Sequence, residues 1–237
     1  MDIFRLNFSF RSPLLFALIV HASVVYAQEE ANQSISTFEQ SMIDAGLVDI
    51  QSIIPDILVE LKYSGKDNFV GVDVYGNLEK CYLHKEPALM LARAQQFLKE
   101  KYPDYSLLVY DGARPRSVQQ ILWDTLDAPI DVKPNYVANP SKGSIHNYGS
   151  AVDLTIADKN GNPLDMGTGY DHFGALAYPT MEKKMLKEGK LTKGQIAHRK
   201  ILRSVMTKAG FRGIDSEWWH FNAFPLSVVK SKYSIIE

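Results

Sequence analysis

Two short stretches of the chain carry residue types that hold a divalent metal and activate water. The first is Ser144-Ile145-His146-Asn147-Tyr148-Gly149-Ser150-Ala151-Val152-Asp153, and the second is Glu217-Trp218-Trp219-His220. Imidazole nitrogen and carboxylate oxygen are good zinc ligands, with bonds of about 2.0–2.2 Å. His146, Asp153 and His220 supply three such atoms, which leaves zinc a fourth position for water, as a catalytic site requires. Glu217, three residues before His220 in an aromatic setting, suits the general base on that water. Either stretch alone has a plainer explanation. A single His near an Asp is more often a hydrogen bond than a metal site, and an aromatic cluster near a C-terminus is more often core. Both together, in this order and about 70 residues apart, are far more specific.

The elements that must carry these residues can be read from periodicity. Val152, Leu154 and Ile156 alternate with Asp153 and Thr155, so residues 151–156 form a strand with Asp153 turned away from its apolar face. Gly149 permits the bend that brings His146 back towards it. Ile57, Val59, Leu61 and Tyr63 alternate in the same way and predict a half-buried strand. Tyr105–Tyr110 is an apolar run ending at Asp111-Gly112, a buried strand followed by a turn. Helices are predicted over 87–99, opened by Pro87 with Leu89, Leu91, Ala92, Phe97 and Leu98 at helical spacing, and over 116–126 after Pro115. A third helix, 193–209, starts at the Thr192/Gln195 capping box and stops at Gly210. Helices and strands do not alternate regularly. The predicted class is therefore α+β, one domain with a mainly antiparallel sheet and flanking helices around a zinc site.

Composition narrows the function from another side. The 237 residues are 46% hydrophobic with a formal net charge of −1, so no basic balance points to nucleic acid or an anionic membrane surface. A small, specific substrate is the better expectation. Arg5 and Arg11, the apolar run Pro13–Ala27, and small residues Val25 and Ala27 before Gln28 read as a cleaved secretory signal over 1–27. That run is shorter than the roughly 20 residues a spanning helix needs, so no membrane span is expected after cleavage. Residues 28–36 are polar, a flexible lead-in to a domain over 37–237. Cys81, the one cysteine, has no partner for an intrachain disulfide and is read as a small buried hydrophobe.

The motifs resemble those of the zinc D,D-peptidases, and most closely the D-alanyl-D-alanine dipeptidase family, over roughly residues 50–225. Four segments carry the narrower likeness: Tyr63–Phe69 (YSGKDNF), Asp111–Pro115 (DGARP), Met166–Asp171 (MGTGYD) and Glu217–His220 (EWWH). The resemblance implies one zinc on His146, Asp153 and His220, with Glu217 as base and Arg114 stabilising the oxyanion. It further implies that Asp171 holds the substrate ammonium and that Tyr63 and Ser144 line the substrate pocket. Plainer roles stand beside these: Arg114 paired with Asp111, Tyr63 as a core tyrosine, Ser144 as a turn cap. The sequence departs from the family where a Ser commonly precedes the ligand His and an Arg follows it by two, positions held here by Ile145 and Tyr148. The implied reaction is hydrolysis of a small D,D-dipeptide during cell-wall peptide turnover, in the periplasm. Alternatives are a D,D-carboxypeptidase acting on muropeptide stems and a noncatalytic zinc-bearing wall-binding domain.

Overall fold

The protein's structure, a computed structural model, describes residues 35–237; the predicted signal and nearly all of the lead-in lie outside the described residues. Its centre is two neighbouring strands, β4 (Ser106–Asp111) and β5 (Ala151–Ala157), buried along their whole length. With β2 (Leu58–Val59), β6 (Arg212–Gly213) and β7 (His220–Asn222) they make a five-stranded sheet in the order β2-β4-β5-β7-β6. The β4–β5, β5–β7 and β7–β6 pairs are antiparallel, while β2 joins β4 in parallel. The sheet is thus mixed, with a parallel edge that alternation alone does not reveal. A small second sheet pairs β1 (Val48–Asp49) with β3 (Tyr82–Leu83).

Full burial of β4 and β5 needs cover on both faces. On one face Leu107, Val109, Val152, Leu154 and Ile156 share a core with Leu91 and Leu98 of α2 (Lys85–Lys101) and with Leu202 and Met206 of α5 (Lys193–Lys208). The opposite face carries Asp153 and becomes the floor of the site. Four further helices complete the class among the described residues: α1 (Thr37–Asp44), α3 (Arg116–Thr125), α4 (Glu182–Lys187) and α6 (Leu226–Lys232). The Thr192/Gln195 box caps α5 reciprocally, and Gly210, at φ +104°, lies just past its end.

The structure alters three expectations. The strand foreseen over 57–63 pairs for only two residues and then tightens into a 3₁₀ turn at Lys62–Ser64. There the Tyr63 ring packs edge-on against Tyr75, and its carbonyl accepts the amides of Val74 and Tyr75. Aromatic packing outweighs strand continuation. Helix α2 starts two residues before Pro87, which sits within the first turn where its missing N–H has no intrahelical acceptor. The α2 core face is Ala88, Met90, Leu91, Ala94 and Leu98, whereas Leu89 is exposed. Cys81 is buried as expected, and burial pushes its thiol pKa well up. Its sulfur would sit 2.5 Å from a Cβ added at Gly112, so Gly112 is glycine because the chains touch there.

Candidate active site

The sheet aligns the chemistry. Across β4, β5 and β7, Asp111 lies opposite Asp153, and Asp153 lies opposite His220. Cross-strand partners project to the same face, so the two carboxylates and the imidazole stand abreast. His146 enters from the 3₁₀ turn Ile145–Tyr148, where Ser144 and Asn147 cap each other's backbone and Gly149 takes a left-handed φ of +56°.

His146 Nε2, His220 Nδ1 and Asp153 Oδ1 form a small triangle. The separations are 3.1 Å between the two nitrogens, 3.0 Å from His220 to the carboxylate and 3.3 Å from His146 to it. Each ring's other nitrogen is committed outward. His146 Nδ1–H donates to the Gly112 carbonyl at 2.7 Å, and His220 Nε2–H donates to Asn222 Oδ1 at 2.9 Å. Neutral rings held in those tautomers present lone pairs, not protons, to each other and to the carboxylate. Three converging acceptors repel unless a cation sits among them. Tetrahedral zinc with bonds near 2.0–2.1 Å spaces its ligands by about 3.3 Å, so the donor set and its dimensions fit such an ion. The carbonyl and amide partners behind the rings are the supports that fix ligand orientation in metal sites.

Asp153 is held ionised. Burial raises a carboxyl pKa, but where no ion sits in the triangle, protons on the facing His146 and His220 nitrogens would bring charge and hydrogen bonds that hold this one well below the usual range. Its second oxygen accepts the Tyr170 hydroxyl at 2.9 Å.

A cavity of about 280 Å³ opens over this triangle, and Arg114, Glu217, Asp171, Tyr63 and Ser144 all line it. Arg114 is paired with Asp111, as its plainer role foresaw, yet its Nη2 also lies 3.6 Å from Asp153 Oδ2. Gln119 Oε1 accepts from Nη1 at 2.9 Å and the guanidinium sits 5.1 Å above the Tyr63 ring, so it is fixed in orientation. Glu217 brings Oε2 to 3.9 Å from His220 Nδ1. Burial lifts its pKa to about 7, against the pull of His220. Burial, then the Asp153 charge, likewise lifts Asp171 to about 7. Among the described residues Asp171 alone of the non-glycines has a positive φ, 55°.

Tyr63 is both things its sequence position allowed, a buried core ring and a hydroxyl donating to Asp171 Oδ1 at 3.3 Å. Ser144 likewise caps its turn and faces the cavity. His84 stacks on Tyr233, His198 bonds the Asp165 carbonyl and His172 is exposed; none joins the triangle. Sequence reasoning missed Asn222, Gln119, Tyr170 and the Gly112 carbonyl as supports. For Asn222 a signal existed, since a residue two after His220 on a strand shares its face. Gln119 and the Gly112 carbonyl depend on which loops meet, and no local pattern encodes that.

The turn makes a direct prediction. A Cβ at Gly149 would sit 2.8 Å from Leu47 Cδ2, in a left-handed conformation that L side chains rarely adopt. Gly149→Ala should lower unfolding free energy by about 2 kcal/mol, read as a shifted urea midpoint. An unchanged midpoint would mean that the turn tolerates a side chain.

A family model described as D-ala-D-ala dipeptidase matches residues 43–234. A D-alanyl-D-alanine dipeptidase of Escherichia coli (strain K12) is 37% identical over 177 residues, covering 74% of this chain and 83% of the relative. One from Enterococcus faecium is 25% identical over 197 residues, 76% of this chain and 92% of the relative. One from Synechocystis sp. is 29% identical over 162 residues, 56% of this chain and 65% of the relative.

Proposed function

This chain belongs to the D-ala-D-ala dipeptidase family of metallopeptidases, and from that premise we propose that it hydrolyses D-alanyl-D-alanine to two D-alanines with one bound zinc. The observation that carries the reading is the triangle of His146, Asp153 and His220 lone pairs beneath a cavity that also holds Glu217 and Asp171.

His146 Nε2, Asp153 Oδ1 and His220 Nδ1 would hold the ion. When bound it supplies Lewis acidity, polarising the scissile carbonyl and lowering the pKa of water towards ~7. Glu217 takes the proton from the attacking water and returns it to the leaving amine, a task suited to a carboxylate whose pKa lies near 7. Arg114 donates to the oxygen on which negative charge develops. Asp171 binds the substrate's ammonium, and an arriving cation draws this carboxyl to its ionised form. Tyr63 donates to Asp171 and Ser144 offers a hydroxyl at the cavity wall, so both shape the substrate pocket.

The sequence of residues 1–27 supports export, which would place the enzyme in the periplasm among dipeptides released during wall turnover. Cell fractionation tests this, and activity confined to the cytoplasm would contradict it.

Zinc content and turnover test the reaction together. The purified protein should hold about one zinc per chain, and a chelator should abolish release of D-alanine from free D-Ala-D-Ala. N-acetyl-D-Ala-D-Ala removes the ammonium and leaves Asp171 facing a neutral amide. Its kcat/KM should be at least about tenfold lower, on the scale of a buried polar group left unpaired. Equal cleavage of both substrates would move the assignment to a D,D-carboxypeptidase. Zinc without hydrolysis of either would leave a wall-binding domain.

A further inference from the structure

Asp171 is weakly held by its own contacts. The bonds it accepts, from the Tyr63 hydroxyl and the Phe69 amide, are long at 3.3 and 3.4 Å. Its backbone is in the left-handed region. Something else must fix where the carboxylate points. The residues on either flank show what does. Arg199 of α5, among the largest fully buried side chains at 1% exposure, donates Nε to the Met166 carbonyl at 2.6 Å and Nη2 to the Leu176 carbonyl at 2.9 Å. Met166 and Leu176 each stand five residues from Asp171, one on either side. The same guanidinium lies 5.7 Å from the Trp218 ring centroid, and Trp218 Nε1 donates to Thr168 Oγ1 inside the segment.

The burial of this arginine is otherwise hard to explain. Its Nη1 has no hydrogen-bond partner and sits 3.8 Å from Glu182, whose two oxygens are already engaged by Arg203. Burial lowers its pKa to about 10. A methionine would fill the volume without that desolvation. What no apolar side chain can do is bridge two carbonyls ten residues apart with a rigid fork of donors.

We propose that Arg199 is a positioning residue for substrate selection: it clamps both flanks of the 166–176 excursion and so aims Asp171 at the substrate ammonium. This rests on the dipeptidase reading. Arg199 touches no substrate; it acts through the segment it holds.

The test uses the full zinc-loaded enzyme with Arg199→Met and Arg199→Lys. Lysine keeps the charge but presents one donor centre in place of the fork. Three readouts are taken: zinc content, kcat and KM for free D-Ala-D-Ala beside its desamino analogue N-propionyl-D-Ala, and amide hydrogen exchange. For Arg199→Met, zinc should stay and KM for the free dipeptide should rise at least about fivefold while kcat changes little, the pattern of lost binding. The analogue should be nearly unaffected, Arg199→Lys should fall between, and exchange should accelerate in 166–176 while 151–157 stays protected. Loss by the same factor on both substrates, exchange quickened everywhere, or no change in 166–176 would overturn the proposal. Should Arg199→Met not fold, Arg199→Lys carries the same comparison. If the unmodified enzyme fails to cleave D-Ala-D-Ala, the dipeptidase reading falls, and the exchange pattern still decides the clamp.

Discussion

Replacing Glu217 with alanine should lower kcat by about 10²–10⁴ while zinc content stays at that of the unmodified protein. The expectation follows from position. Glu217 stands 3.9 Å from His220 Nδ1 but is not one of the three groups that form the ligand triangle, so its removal deletes a base and no ligand. Its carboxyl pKa of about 7, set by burial, lets it accept a proton near neutral pH and release it again within one turnover. Alanine leaves the neighbouring walls intact, because Trp218 and Trp219 are packed by their own contacts with Thr168 and Tyr170. Binding should therefore survive, and the loss should appear in kcat with KM little moved. Metal analysis beside steady-state kinetics decides it. Loss of zinc would make Glu217 part of the metal's support, and unchanged turnover would leave it a packing residue.

How much of this was legible depends on the range of each signal. The alternation of Val152, Asp153 and Leu154 is local, and it correctly turned Asp153 away from the helix-covered face of β5. The turn at Gly149 and the capping box of α5 are local as well, and both formed as read. The pairing of Asp153 with His220 is not local, because β7 is three residues long and His220 meets Asp153 only through its register against β5, a strand far away in sequence. The parallel placement of β2 beside β4 failed to show for the same reason, since two residues of pairing leave no periodic trace. Tyr63 and Ser144 were read with two roles each because their side chains do two things. Arg199 was invisible, since a buried arginine inside a helix with exposed basic residues on either side looks like part of a solvated face.

Arg114 poses the sharper question, because one guanidinium serves two buried carboxylates and the cavity at once. Asp111 is fully buried and accepts from Arg114 Nε at 2.8 Å, from Tyr75 at 2.7 Å and from the Gly112 amide at 2.9 Å. Arg114→Ala would strip that carboxylate of its counter-ion. Breaking one half of a buried pair costs on the order of 3–5 kcal/mol, so this variant mixes lost stability with lost catalysis. Arg114→Lys separates them. An ammonium can still neutralise Asp111, but it lacks the planar fork that now reaches Asp111, Gln119 and the cavity together. The lysine enzyme should keep its zinc and most of its stability and lose about 10²–10³ in kcat, the usual scale for removing an oxyanion donor. A fall in kcat with KM nearly constant identifies an interaction made in the transition state. A rise in KM alone would make Arg114 a ground-state contact for the substrate. If Arg114→Lys turned over as fast as the unmodified enzyme, its pairing with Asp111 would be the whole of its role.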